Sequence, residues 1–209
     1  MDVKQFENNR WQREDQKLEF RHKAALSMVP FGTVLDLGSG DGLLLSLLKD
    51  KGIEGKGLDL SEEGVIKANN KGLRTEVFDF GNRPLPFPDN SFDLVVTTKY
   101  IMEHVSEPSD VIQEMHRVLR PGGEAFIVAA HVRRQHQAPH DYYRFTEYAL
   151  AHLVKKAGFT SHEIQPTDGA MYTLAMYSYF FQRSMSFPKF VERFFDGVFY
   201  YVTCPFFFF

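Results

Sequence analysis

From Thr33 onward, short apolar runs alternate with longer amphipathic stretches. VLDL (34–37), EGKGLDL (54–60), RTEVFDF (74–80), FDLVVTT (92–98) and EAFIVAA (124–130) have the length of strands, the second weakened by two glycines. FTSHEIQP (159–166) is expected to be a sixth. Between them, Gly42 to Lys51 places Leu43, Leu44, Leu47 and Leu48 on one helical face. Ser61 is the expected N-cap of a helix running through Lys71, with Glu63 in its first turn. Ser109 to Leu119 reads as a helix that stops before Pro121. Thr146 and Glu147 open a helix through Lys156, which Gly158 ends. This alternation predicts βαβ units and a parallel sheet with helices on both faces.

The pattern changes near the C-terminus. AMYTLAMYSYFF (170–181) is almost unbroken in apolar residues but too short to span a bilayer. FPKFVERFFDGVFYYV (187–202) sets Phe190, Val191, Phe194, Phe195, Val198 and Phe199 opposite Lys189, Glu192, Arg193 and Asp196, an amphipathic helix. Eleven of the 21 Phe and five of the nine Tyr fall in the last 40 residues, which separates this stretch from the rest. The expected organisation is a helical cap at 1–29, an α/β domain at 30–166 and an aromatic-rich extension at 167–209. The extension has three readings: a cap on the pocket, a homodimer interface, or a helix lying peripherally on a membrane.

Charge narrows the partners. The 209 residues carry a net charge of −3 with no block of one sign, so no nucleic-acid partner is expected and a small-molecule partner is. Cys204 is the single cysteine, which excludes an internal disulfide and fits a cytoplasmic setting. The polar start MDVKQFENNRWQREDQKLEF lacks the apolar core of a signal peptide.

In an open parallel sheet, ligands bind beyond the carboxyl ends of the strands. The first strand and turn read VLDLGSGDG, with glycines at 38, 40 and 42. A dinucleotide turn would need glycine at 43, where this chain has Leu43. Asp36 precedes the first glycine by two residues; it would repel a pyrophosphate and suits an ammonium group. Asp59, at the end of the second run, can accept both hydroxyls of a ribose. Asp79, with Phe80 beside it, can accept from an exocyclic amine while the ring covers a base. Three acids at three strand ends describe a cationic, phosphate-free nucleoside, S-adenosylmethionine (SAM).

VLDLGSGDG, GLDL, EVFDF, FDLVVTTKYIMEHV and LRPGG, in this order, resemble the class I SAM-dependent methyltransferases, nearest the ubiquinone and menaquinone type, over roughly residues 30–165. The resemblance implies a Rossmann-like fold with a seven-stranded sheet whose last strand is antiparallel. It implies that Asp36, Gly38, Ser39 and Gly40 line the methionine part of SAM. It places Asp59 on the ribose, Leu60 against the adenine, and Asp79 and Phe80 at the adenine edge. Thr97, Thr98 and Lys99 would form the floor of the transfer site, and LRPGG (119–123) a structural turn. His104 in MEHV would pack beside the cofactor at the acceptor end.

HVRRQHQAPHDYYRFT (131–146) follows the fifth strand, at the rim of the substrate pocket. HDYYRFT also resembles a DYWRFT signature of class I methyltransferases of glycan and cell-surface polysaccharide pathways, with Tyr143 in place of the Trp. Within it His140, oriented by Asp141, is the first candidate for a general base, with His131 next and Tyr143 as a further catalytic candidate. Arg133, Arg134 and Arg144 can hold an anionic acceptor. Tyr100, Tyr142 and Tyr143 offer aromatic faces to a sulfonium. The bland alternative pairs Arg144 with a carboxylate inside the fold, packs Tyr142, and leaves Thr146 as a helix cap. A metal held by His131, His136, His140 and Asp141 fits no compact ligand spacing, so none is expected. The function this implies is methyl transfer from SAM to a small molecule, a saccharide or a lipid-linked intermediate. The alternatives are a quinone-type C-methyltransferase and a SAM-binding regulatory protein without catalysis.

Overall fold

The computed structural model describes residues 3–13, 18–29, 32–82, 84–99 and 101–167, with 173, 174 and 177. Residues 1–164 form one compact unit and 165–209 another. The first unit contains helices α1 (Val3–Arg13), α2 (Phe20–Ser27), α3 (Leu43–Asp50), α4 (Glu62–Asn70), α5 (Pro108–Val118) and α6 (Glu147–Lys156). Its strands are β1 (Thr33–Leu37), β2 (Glu54–Asp59), β3 (Arg74–Val77), β4 (Phe92–Thr97) and β5 (Leu119–Ile127).

The strands form one parallel sheet in the order β3-β2-β1-β4-β5. The chain leaves β1 toward β2 on one side and returns to β4 on the other. The carboxyl ends of β1 and β4 therefore flank the switch point where such sheets bind ligands. Alternation along the central strands builds a core on each face. Leu35, Leu37 and Val95 join Ile112 and Met115 of α5, whereas Val34, Leu94 and Val96 join Leu44, Leu45 and Leu48 of α3.

The predicted caps hold. Ser61 Oγ accepts from Gly64 N at 3.2 Å and Thr146 Oγ1 from Ala149 N at 3.2 Å. Several boundaries differ. The buried stripe of α3 is Leu44, Leu45 and Leu48, while Leu43 and Leu47 are half-buried. β3 stops at Val77, so Asp79 and Phe80 lie on the turn beyond it. β5 begins at Leu119: Leu119 pairs with Phe92 and Glu124 with Leu94, so four residues of LRPGG bulge opposite Asp93. Gly122, at φ 83, supplies the left-handed turn this needs.

The sheet has five strands among the described residues, all parallel, rather than seven with an antiparallel edge. The expected sixth run, 159–166, has no regular structure. Thr160, Ser161, His162 and Glu163 are all exposed, and Phe159 alone is packed against the main core, so neither face offers the burial that fixes a strand. The amphipathic helix at 187–202 and most of 170–181 lie outside the described residues. Among the described residues no helix is long and apolar enough to cross a membrane.

Candidate active site

The β1–α3 turn is built for close approach. Gly38, Gly40 and Gly42 have φ of 79°, 56° and 79°, and Gly38 N and Ser39 N donate to Leu58 O at 2.8 and 3.0 Å. A Cβ at Gly40 would lie 2.5 Å from the Trp11 ring. Asp36 sits beneath this turn, 1% exposed; its Oδ1 accepts from Thr98 Oγ1 at 3.3 Å and its Oδ2 has no hydrogen-bond partner. Burial pushes its carboxyl up to about 7, against the pull of Lys99. Ser39 Oγ is likewise buried without a partner.

Asp59 is buried at the end of β2 and bonds the turn to its own helix. Its Oδ2 accepts from Gly40 N at 2.7 Å and its Oδ1 from Ser61 N at 2.9 Å. Each oxygen keeps a second lone pair. Leu60, next to it, is half-buried. Asp79 is exposed and accepts from Gly81 N at 2.9 Å, while Phe80 is 8% exposed and edge-on to Phe78. Thr97 does not face the turn: its Oγ1 accepts from Val128 N at 3.0 Å and ties β4 to β5. Tyr100 lies outside the described residues.

The roof over the turn comes from α1, within the segment expected as a helical cap, through Trp11, which was not among the expected site residues. α1 lays Trp11, 1% exposed, across Gly40, and Lys99 Nζ sits 3.7 Å from the Trp11 ring centroid and 3.7 Å from Asp59 Oδ2. Burial pushes the Lys99 ammonium downward in pKa. Asn8 fixes α1 by accepting from Ser61 Oγ at 2.8 Å, and Lys4 pairs with Glu62 at 2.6 Å. One signal was in the chain: a lone tryptophan in an otherwise polar N-terminal segment.

The 131–146 loop is pinned at both ends. Phe145 N donates to Ala130 O and Tyr142 N to Glu103 O, each at 2.8 Å. His140 and Asp141 are not partners, which corrects the expected pair. Asp141, its side chain 0% exposed, accepts from Arg144 at 2.6 and 2.8 Å and from His136 N at 2.8 Å. Those charged donors hold its carboxyl well below the usual range. His140 Nδ1 instead meets the Tyr142 hydroxyl at 3.0 Å.

Arg144 is thus committed within the loop, also donating to the carbonyls of Arg133 and Arg134, and is not available for an acceptor. Arg133 and Arg134 are exposed. Tyr143 donates to Ser106 O at 2.8 Å and packs near Phe145. His131 Nδ1 lies 2.7 Å from Phe145 O. His104 Nδ1 lies 2.6 Å from His140 O, and its Nε2 lies 3.2 Å from His136 Nε2. Burial lowers both imidazole pKa values, that of His136 to about 4.

Residues 35–127 match the family model described as a methyltransferase domain. This stretch is similar to methyltransferase domains. Its relatives include a phosphatidylethanolamine N-methyltransferase of Cereibacter sphaeroides, 40% identical over 46% of this chain and 50% of that one. A ubiquinone/menaquinone biosynthesis C-methyltransferase of Stenotrophomonas maltophilia is 34% identical over 50% of this chain and 45% of that one. The chain therefore spans about half the length of these curated relatives. Among solved structures, a chain from the complex of the Haloferax volcanii Trm112 methyltransferase activator with a methyltransferase superposes with TM-score 0.65 at 28% identity, covering 81% of this chain and 83% of that one. A SAM-dependent methyltransferase of Mesorhizobium loti, at 22% identity and TM-score 0.58 over 70% of this chain and 85% of that one, shares the fold. The matched residues run from within β1 to the end of β5, and α1 and the 131–146 loop lie outside them.

Proposed function

We propose that the chain transfers a methyl group from SAM to a small-molecule acceptor of the saccharide or lipid-linked class. The observation that carries this is Asp36: a buried carboxylate under a glycine turn, one oxygen unpartnered, beside the buried Asp59. An unpaired buried acid is costly unless a cation arrives. The donor set fits the cofactor, with acids for an ammonium, a ribose and an adenine amine and no phosphate-binding turn.

SAM supplies an electrophilic methyl group on a sulfonium. Asp36 holds the ammonium charge, the remaining lone pairs of Asp59 accept the ribose hydroxyls, and Asp79 with Phe80 meets the adenine. Alignment is most of the work; it contributes roughly 7–11 kcal/mol in favourable cases. α1 and the 131–146 loop keep water from the site. If the acceptor atom carries a proton, His140 Nε2 takes it, since Nδ1 is engaged by Tyr142.

One relative is named for phosphatidylethanolamine and another for ubiquinone/menaquinone biosynthesis, which supports an acceptor with an apolar portion. A second reading, SAM binding without turnover, is favoured by the commitment of Asp141 to Arg144 rather than to His140. One experiment separates them. Purified chain is titrated with SAM by calorimetry, then incubated with methyl-labelled SAM and glycan, lipid-linked, quinone and aminolipid acceptors, and product masses are read. Binding with a labelled product supports the proposal. Binding without product across the panel favours the regulatory reading, and absence of binding overturns both.

A further inference from the structure

Outside the cofactor cradle, Glu103 is 0% exposed and neither carboxylate oxygen has a hydrogen-bond partner. A carboxyl in that state is costly, and burial pushes it up to about 7. The charges of Arg133 and Arg144 offset this only in part, and His136 Nε2, 4.0 Å from Oε1, is beyond hydrogen-bond length.

The tautomers of the two histidines follow from their outer contacts. His104 Nδ1 faces the His140 carbonyl at 2.6 Å, so Nδ1 carries the proton and Nε2 a bare lone pair. His136 Nδ1 faces Arg134 O at 3.3 Å and Asp141 Oδ2 at 3.4 Å, so it too is the protonated atom. With both protons on Nδ1, two bare Nε2 lone pairs meet at 3.2 Å; with one on Nε2, the two rings share a hydrogen bond that a cation would displace. Two lone pairs and an unpartnered carboxylate repel unless a positive charge lies between them.

We propose that Glu103, His104 and His136 bind a divalent transition-metal cation of the zinc class. One ligand atom from each lies within 4.8 Å of the others. Zinc holds imidazole nitrogens at about 2.0–2.1 Å, which at a tetrahedral angle sets them roughly 3.3 Å apart. The observed 3.2 Å matches that spacing, and the Glu103 carboxylate, 4.0 Å from His136 Nε2, would move inward to share the ion. The outer contacts are those that orient metal-bound imidazoles, a carboxylate on one ring and a backbone carbonyl on the other. They also give the Asp141–Arg144 pair a purpose: it fixes the acid that aims His136.

Glu103 and His104 follow β4 and His136 follows β5, so the ion would sit at the acceptor rim. Three protein ligands leave a fourth position for water or an acceptor oxygen. That last use rests on the proposed methyl transfer; the binding site does not.

The test uses tag-free, metal-stripped full chain titrated with zinc ion by calorimetry, with X-ray absorption of the loaded sample. One equivalent should bind, with two imidazoles and a carboxylate in the shell. Glu103→Gln and His136→Ala should each weaken binding at least tenfold, while His162→Ala, on an exposed residue, should bind as wild type. Should Glu103→Gln fail to fold by circular dichroism, His136→Ala decides. No saturable site, or unchanged affinity in His136→Ala, overturns the proposal. SAM titration of the same samples reads the methyltransferase proposal separately, since its cradle shares none of these three residues.

Discussion

Lys99 Nζ lies 3.7 Å from the centroid of the Trp11 ring and 3.7 Å from Asp59 Oδ2, so one buried ammonium serves both the roof and the floor of the cofactor cradle. A cation–π contact in such a place is worth about 2 kcal/mol. The same charge competes with any cationic ligand of Asp36 and Asp59. Lys99→Met should therefore tighten SAM binding several-fold by calorimetry. Trp11→Ala should weaken SAM binding and cost roughly 3–5 kcal/mol of stability in urea unfolding, the range for truncating a buried aromatic.

Asp36 makes stability fall as pH rises. Its folded pKa is about 7 against an ordinary 3.8, so between those values the folded chain holds a proton that the unfolded chain has released. Asp36→Asn should remove that slope and raise the melting temperature at pH 8. The same variant should bind SAM at least tenfold more weakly, because the ammonium loses its counter-charge. A melting curve with the wild-type pH slope would place the proton elsewhere.

Asp141 gives the opposite sign. Its carboxyl is held below the ordinary range, so its contribution is complete above about pH 4 and is lost as pH falls further. Arg144→Ala leaves a fully buried carboxylate without its bidentate partner. Arg144 is itself about a quarter exposed, which discounts the loss to roughly 1–3 kcal/mol. Urea unfolding of Arg144→Ala should fall short of wild type by the full amount at pH 7 and by a smaller amount at pH 3, where the depressed carboxyl has begun to lose its advantage over the unfolded chain.

His140 and Tyr142 act as a unit through their 3.0 Å contact. His140→Ala should lower turnover on the identified acceptor by about 10²-fold if a proton must leave, with SAM affinity unchanged. Tyr142→Phe should give a smaller loss of the same kind. Equal turnover in wild type and His140→Ala would remove the histidine from the reaction.

Short-range pattern made most of the domain legible. Ser61 and Thr146 cap helices because a hydroxyl reaches an amide three residues on, and that is visible in sequence. Asp36, Asp59 and Asp79 could be placed at or near the carboxyl ends of β1, β2 and β3 from the chain alone, because parallel strands carry those ends to one edge of the sheet. What failed depended on which of several possible partners a side chain takes, or on a partner from another loop. Asp141 beside His140 suggested a pair, yet the carboxylate turns to Arg144, whose bidentate fork outcompetes an imidazole. Glu103 drew no notice because its neighbour His136 is supplied by another loop. The run at 159–166 alternates like a strand but lacks a face to bury.

Gln137 Nε2 donates to Glu7 Oε1 at 2.7 Å, joining the acceptor loop to the helix that roofs the glycine turn. A molecule that lifts α1 strains this bond, and one that reshapes the loop pulls on α1. A ligand that changed this bond at one end would, by linkage, change the free energy of binding at the other by the same amount.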